Sequence, residues 1–376
     1  MSSEDAPRTS SPSREPSEPF AVRVIVFECG HGDTILIGFP NDKWALVDCH
    51  LPNGHVRDRF FKLVESLGIS RLEYIFQTHP DYDHFFGMTK VLEHFTRDGR
   101  SVGYWCDGGL YAQSIQSLIW PDAVSKKHYT KLQADLDQLD DDGRIQFIEL
   151  NDRVEVTSCE GYESIVDLMP LGPSARTKRR VTREDLKKLQ ENPAAKMEAN
   201  RLSVILALLI DHKNEEWNFL LPGDAGAEEI DGALDAWSKR SAMEKADLHL
   251  DVIKVPHHGS LASHNEALPT MTRNDRAERF AVISAGTRPK LPDRTVIEEF
   301  LRHSWCVMST TRQQAETPQP SRPMTLASRQ PIEASSILTH DIEISWHSET
   351  RLNAKPEAAI LSREDTSLYE TASAKR

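Results

Sequence analysis

The chain has 376 residues, 39% of them apolar and 27% charged, with a formal net charge of −13. That length can carry a substantial core in one large α/β domain or two small ones, and no apolar run reaches the roughly 20 residues that a membrane-spanning helix needs. The negative charge argues against a protein that merely coats nucleic acid. It leaves room for a nuclease, which can recruit phosphates through metal ions and a local basic patch. Cys29, Cys49, Cys106, Cys159 and Cys306 are scattered, odd in number and never spaced C-x-x-C. They read as small buried apolar residues, not as a disulfide framework or a cysteine zinc site.

Residues 1–19 are rich in Ser, Pro and charge, lack the apolar stretch of a secretory signal, and read as a disordered tail. The expected location is the cytoplasm, with no membrane partner. Strands are predicted at Ala21–Phe27, Thr34–Phe39 and Trp44–Asp48, joined by short loops as an antiparallel set. An amphipathic helix from Arg57 to Leu67 puts Phe60, Phe61, Val64 and Leu67 on one face, with Gly68 at its end. A strand at Leu72–Gln77 runs into a His/Asp cluster, and a helix starts near Phe85. Residues 110–143 read as helical, 145–170 as short strands, and 174–199 as a basic helix. Ser203–Ile210, Asn218–Leu221, Asp251–Pro256 and Phe280–Ser284 read as buried strands, followed by a helix over Thr295–His303 and a late strand at Asp341–Trp346. One domain over 20–350 is expected, with insertions at 110–199 and 312–335 and a polar tail at 351–376. The pattern fits two sheets packed together with helices outside.

Three segments carry the chemistry. His79-Pro80-Asp81-Tyr82-Asp83-His84 follows an apolar strand and offers four ligands within six residues. His79 and Asp81 can serve one ion, Asp83 and His84 a second, and imidazole with carboxylate suits zinc, manganese or iron. A helix-capping loop with Asp83 near the N-cap explains one such residue, but not all four. Asp224, after Leu221-Pro222-Gly223, reads alone as a turn residue; beside the first cluster it becomes a candidate bridging ligand. In Val255-Pro256-His257-His258-Gly259-Ser260, adjacent histidines leaving a strand are expected to point apart. One would ligate metal and the other face substrate. The working assignment puts His257 on the metal and His258 at the substrate, with the reverse order open.

In their order these motifs resemble the metallo-β-lactamase superfamily, and within it the hydrolase domain of the DNA-uptake protein ComEC and its stand-alone relatives. The shared features are Gly30-His31-Gly32-Asp33-Thr34-Ile35-Leu36-Ile37, the strand ending at Asp48, Thr78 to His84, Asn200 and Ser203 before a long strand, Gly223-Asp224, and His257 to Ser260. The resemblance spans residues 20 to about 310. It implies an α/β four-layer αββα sandwich with metals at one edge of the two sheets. Two departures stand out. Leu291 occupies the place of a usual His, in a loop where Arg288 and Lys290 could meet a phosphate instead, and Asn200 lies where many members have a histidine.

The implied activity is that of a metal-dependent hydrolase, with two divalent cations (zinc or manganese) activating a water. Asp83 would bind metal and orient the nucleophile. His258 would assist the leaving group, and His258, Ser260, Arg288 and Lys290 would contact substrate. The expected substrate is a phosphodiester, DNA or RNA included, with the basic stretch Arg176 to Lys188 as a backbone patch. The runners-up are a lactone, ester or lactam hydrolase and a non-catalytic scaffold with a degenerate site.

Overall fold

The computed structural model describes residues 21–108, 123–150, 157–158, 164–192, 199–212, 215–240, 248–272, 279–286, 291–310, 332–335, 341–347 and 359–360. Short apolar runs mark most of the strands, and successive side chains along each strand alternate between its two faces. These are β1 (Ala21–Val26), β2 (Thr34–Gly38), β3 (Trp44–Cys49), β4 (Tyr74–Gln77), β5 (Tyr104–Asp107), β6 (Gln146–Glu149), β7 (Thr157–Ser158), β8 (Ser164–Gly172), β9 (Ile205–His212), β10 (Glu215–Leu221), β11 (Val252–Lys254), β12 (Phe280–Ile283), β13 (Cys306–Ser309), β14 (Ile332–Ser335), β15 (Ile342–His347) and β16 (Ala359–Ile360). They assemble into two eight-stranded sheets, ordered β14-β15-β1-β2-β3-β4-β5-β6 and β16-β13-β12-β11-β10-β9-β8-β7. As expected, β1, β2 and β3 are successive antiparallel neighbours.

The alternation places the layers. Val24, Val26, Ala45 and Val47 of the first sheet meet Leu206, Leu208, Phe219 and Val282 of the second in one core between the sheets. The intervening residues Ile25, Leu46 and Ile75 face outward, onto Phe60, Leu63 and Val64 of helix α1 (Gly54–Ser66). With α2 the single turn Tyr82–Phe85, helix α3 (Met88–Phe95) and helix α4 (Ala123–Asp141) complete that outer layer. On the other side, Ile205, Ala207 and Ile253 pack on Ile230 and Trp237 of α6 (Ala227–Arg240) and on Val296 and Phe300 of α7 (Arg294–Arg302). The basic helix α5 spans Ala175–Glu191. The result is the four-layer αββα sandwich. Each fully buried Leu, Ile or Phe in these layers contributes about 1.5–3 kcal/mol, before the entropy of ordering is subtracted.

Local chemistry sets the boundaries. Asn53 caps α1 by accepting from the Val56 N–H (3.0 Å), and Gly68 adopts φ +67° just past its end. The helix expected near Phe85 is two elements: α2 through the ligand cluster itself, then α3. Strands β5 and β13 were not anticipated from the sequence. β14 lies inside the stretch read as an insertion and β16 inside the stretch read as a tail. Each edges a sheet, β14 against β15 and β16 against β13. The N-terminal tail and all of 312–331 lie outside the described residues, as does Cys159. Cys29, Cys49 and Cys106 are buried. No helix among the described residues is long and apolar enough to cross a membrane.

The topology positions the site. β3 and β4 are parallel, as are β10, β11 and β12, so both sets end at the same rim. The Val204 N–H donates to Thr78 O (2.9 Å) and joins the sheets there. The carboxyl ends of parallel strands are where α/β proteins place ligands.

Candidate metal centre

Each strand delivers polar side chains at its carboxyl end: β3 gives Asp48, β4 gives Thr78 and His79, β10 gives Asp224, and β11 gives Lys254, His257 and His258. The loop between β1 and β2 adds His31 and Asp33. Four imidazoles converge, each held from behind through Nδ1. His84 Nδ1 bonds Asp48 Oδ2 at 2.7 Å, and His258 Nδ1 donates to Ser284 O at 2.8 Å. His79 Nδ1 lies 3.0 Å from Thr78 Oγ1 and 3.2 Å from Ser203 Oγ, and His257 Nδ1 lies 2.9 Å from Ser263 Oγ. Every Nε2 is therefore turned inward. Those of His84, His257 and His258 lie 3.4, 3.7 and 3.6 Å from Asp224 Oδ2. His79 Nε2 lies 3.7 Å from Asp81 Oδ2.

Two groups of donor atoms result, His79–His84–Asp224 and His31–Asp83–His258, each with its atoms within 4.8 Å of one another. His84 thus groups with His79, not with Asp83 as the sequence suggested, because the turn of α2 sends neighbouring side chains to different sides. Asp83 instead faces His31 (3.4 Å) and His258 (3.8 Å). The helix-capping alternative for Asp83 does not describe this geometry: Asp81 is the N-cap of α2, and its side chain makes no capping hydrogen bond.

The histidine pair also departs from expectation. Both residues adopt left-handed backbone (φ +47° and +54°), as Asp48 does (φ +54°). Such strain in non-glycine residues concentrates at functional sites. The left-handed turn aims both rings at Asp224 instead of splaying them. His258 is fully buried within the donor group, whereas His257, 29% exposed, stands at the rim beside Asn200 (3.4 Å). Ser260 follows the turn, its N–H donating to His257 O (2.9 Å). Arg288 and Lys290 lie outside the described residues.

Electrostatics tests whether cations fit. Asp33, Asp48 and Asp224 are nearly inaccessible, Asp83 is mostly buried, and Lys254 is the one ammonium among them. Burial works against ionising Asp224, but the His258 and His84 imidazoles and Lys254 outweigh it and hold the carboxyl well below its usual range. Burial likewise opposes charge on His84, yet Asp224 and Asp48 raise it well above the ordinary imidazole value. Burial pushes His79 down to about 3, so it is neutral and able to ligate. The Nε2 atoms of His79 and His258 are buried without a hydrogen-bond partner. Buried polar atoms are ordinarily paired. The neutral His79, imidazoles fixed from behind, excess carboxylate and orphaned inward atoms fit divalent cations, which at His84 would take the place of the proton that Asp224 and Asp48 favour.

Several of these residues were not singled out as site residues from the sequence: His31, Asp33, Asp48, His50, Thr78, Ser203 and Lys254. Asp48 has the widest reach. Its Oδ2 also accepts from Thr78 Oγ1 (2.6 Å), and its Oδ1 accepts the Thr78 N–H (2.8 Å). Asp48→Asn should weaken metal affinity about 10–100-fold, the usual range for losing the partner behind a ligating histidine. Competition with a chromophoric chelator reads this directly, and unchanged affinity would remove Asp48 from the centre.

His50, behind the centre, gives a pH test. Burial lowers it to about 4. A depressed imidazole contributes stability that is present above the unfolded value of 6.5 and lost as pH falls toward 4. Between pH 7 and 5 the loss is about 2 kcal/mol. His50→Phe should remove this component, so metal-free wild type and variant, unfolded in urea at both pH values, should differ in their loss by that amount.

Residues 28–99 match the family model of the Metallo-beta-lactamase superfamily. Among solved structures, the metallo-beta-lactamase fold protein YhfI from Bacillus subtilis is 11% identical, with a TM-score of 0.39 over 75% of this chain and 92% of that one. A diphosphatase of the PhnP family is 11% identical, with a TM-score of 0.37 over 71% and 87%. The subclass B3 metallo-beta-lactamase BJP-1 of Bradyrhizobium japonicum is 11% identical, with a TM-score of 0.30 over 61% and 75%. No curated protein matches the chain. The segment that resembles the Metallo-beta-lactamase superfamily model contains His31, Asp33, Asp48 and the whole run from His79 to His84.

Proposed function

We propose that the protein is a metal-dependent hydrolase acting on phosphodiesters, with His79, His84 and Asp224 holding one divalent cation and Asp83, His31 and His258 a second. Asp81 stands beside the first group and His257 beside Asp224. The observation that carries this reading is the convergence of buried imidazole Nε2 atoms on Asp224 Oδ2. When bound, such cations supply Lewis acidity and lower the pKa of water toward neutrality. Asp83, the most accessible carboxylate of the two groups at 18% exposure, orients the attacking water. His257 at the rim is placed to meet a substrate oxygen or donate a proton to the leaving group. Asp224, through its Oδ2, lies between the two groups.

The phosphodiester choice rests on the motif resemblance to ComEC-type domains and on the basic character of the loop carrying Arg288 and Lys290. Helix α5 supports it less than its composition suggests. Lys178 donates to Leu150 O (2.7 Å) and Arg180 pairs with Glu228 (2.7 Å), so part of that charge serves the fold.

Metal analysis with assays on bis-p-nitrophenyl phosphate, linear DNA and a lactone tests the proposal. We expect phosphodiester turnover, with manganese at least as effective as zinc because Asp81 is a hard oxygen donor beside His79. Changing Arg288 and Lys290 together to Ala should raise KM with metal content intact. Lactone turnover with no phosphodiester turnover under either metal would favour the small-molecule hydrolase, and a protein without bound metal would favour a scaffold.

A further inference from the structure

Lys254 has no part in the reaction outlined above, yet it is among the most deeply buried side chains of the molecule. It ends β11, is 1% exposed, and its Nζ lies 2.5 Å from Asp33 Oδ2, 3.5 Å from Asp224 Oδ1 and 3.2 Å from Gly223 O. Asp224 is thereby divided between two neighbours: Oδ1 faces the ammonium and Oδ2 faces three imidazoles. Asp33 is divided as well, with Oδ2 on Lys254 and Oδ1 3.7 Å from His258 Nδ1.

Judged on proximity alone, Asp33 is a candidate ligand. It belongs to two further donor groups, Asp33–Asp224–His258 and Asp33–Asp48–His84. Lys254 argues against both. A divalent ion held by Asp33 would stand beside a buried ammonium, where like charges repel far more strongly than in water. Driving that ammonium away would leave it buried without its carboxylate. The imidazole nitrogens nearest Asp33 are also taken: His258 Nδ1, 3.7 Å from Asp33 Oδ1, is bonded to Ser284 O, and His84 Nδ1, 3.9 Å from Asp33 Oδ2, to Asp48.

We infer that Lys254 is a positioning residue, a built-in cation that keeps Asp33 out of the metal centre and fixes Asp224 so that only Oδ2 is offered to the metals. The inference rests on the metal-centre reading but not on the nature of the substrate. It limits the centre to the two donor groups without Asp33, and makes the Lys254–Asp33 pair an outer wall of the site.

The test is metal stoichiometry after equilibrium dialysis against zinc, together with the visible spectrum of the cobalt-substituted protein. Asp33→Asn should bind as many ions per chain as wild type, whereas Asp83→Asn should bind fewer. Lys254→Met frees Asp224 Oδ1 to join the coordination, so the cobalt absorption should weaken and shift as the coordination number rises. If the uncompensated Asp33 prevents Lys254→Met from folding, the charge-balanced pair Asp33→Asn/Lys254→Met should fold and show the same spectral change. Loss of one ion from Asp33→Asn would make Asp33 a ligand and overturn the inference. So would a wild-type cobalt spectrum in the double variant. Wild type binding no metal at all would instead sink the metal centre itself, so the two failures are told apart.

Discussion

Asp224→Ala should abolish metal-dependent turnover while leaving the sandwich folded. Asp224 is the one carboxylate whose oxygen approaches three imidazoles, at 3.4 to 3.7 Å. Removing it deprives the first donor group of its anion and takes away the group lying between the two. Lewis-acid stabilisation of a transition state is worth several kcal/mol, so the rate should fall on the order of a thousandfold or more. The folded state should tolerate the change because the site is over-supplied with negative charge. Losing one buried carboxylate relieves repulsion with Asp33 and Asp83, which offsets part of the lost pairing with His258, His84 and Lys254. Metal content should drop with activity, and the metal-free protein should stay folded with a lowered urea midpoint. Wild-type turnover with a depleted site would show that the metals are not the catalysts.

That experiment separates two roles the carboxylates could play. In a structural ion-pair network, removing a member costs stability in proportion to its burial. In a metal centre, the cost appears mainly as lost cation affinity and lost rate. Asp251 gives the structural comparison. It is buried and accepts the Asn218 N–H (2.8 Å) at the opposite, amino-terminal end of β11. Asp251→Ala should therefore cost stability without touching metal content.

Much of this was legible in the sequence, for physical reasons that differ by element. Strands β2 to β4, β9, β10 and β12 are short, nearly continuous apolar runs buried on both faces, so their positions followed from pattern alone. Four ligands in six residues at the end of a buried strand could not be accounted for by a cap, and the segment from His79 to His84 was legible for that reason. Lys254 was hidden by its setting. In Val252-Ile253-Lys254-Val255 it reads as a single polar residue within an apolar strand, and only the facing Asp33, more than two hundred residues away in the chain, makes it an internal cation. The order of His257 and His258 depends on two consecutive left-handed residues, a conformation that non-glycine sequence does not announce. Strands β14 and β16 are short and lie in polar surroundings. They form because β15 and β13 present open edges, a tertiary fact that local sequence does not contain.

Gly32→Ala should be strongly damaging, and it tests whether the loop between β1 and β2 belongs to the centre. Gly32 sits at φ +143°, a backbone region that side chains rarely adopt. A methyl there would lie 2.5 Å from Asp83 O and would also strike the His50 ring. Neither neighbour can easily retreat. Asp83 O accepts the Asp33 N–H (3.1 Å), and the His50 backbone is pinned by the Asp33 carbonyl (3.1 Å) and Thr34 Oγ1 (2.8 Å). Backbone strain and overpacking each cost about 1–3 kcal/mol, so the variant should lose about 2–5 kcal/mol of stability. The relief available is to push Asp83 outward, away from His31 and His258. Metal affinity of the second donor group should therefore fall together with stability, while the first group, built on His79, His84 and Asp224, keeps its ion. Chemical denaturation combined with zinc stoichiometry checks both halves. A variant that is destabilised but still binds the wild-type number of ions would detach this loop from the metal centre.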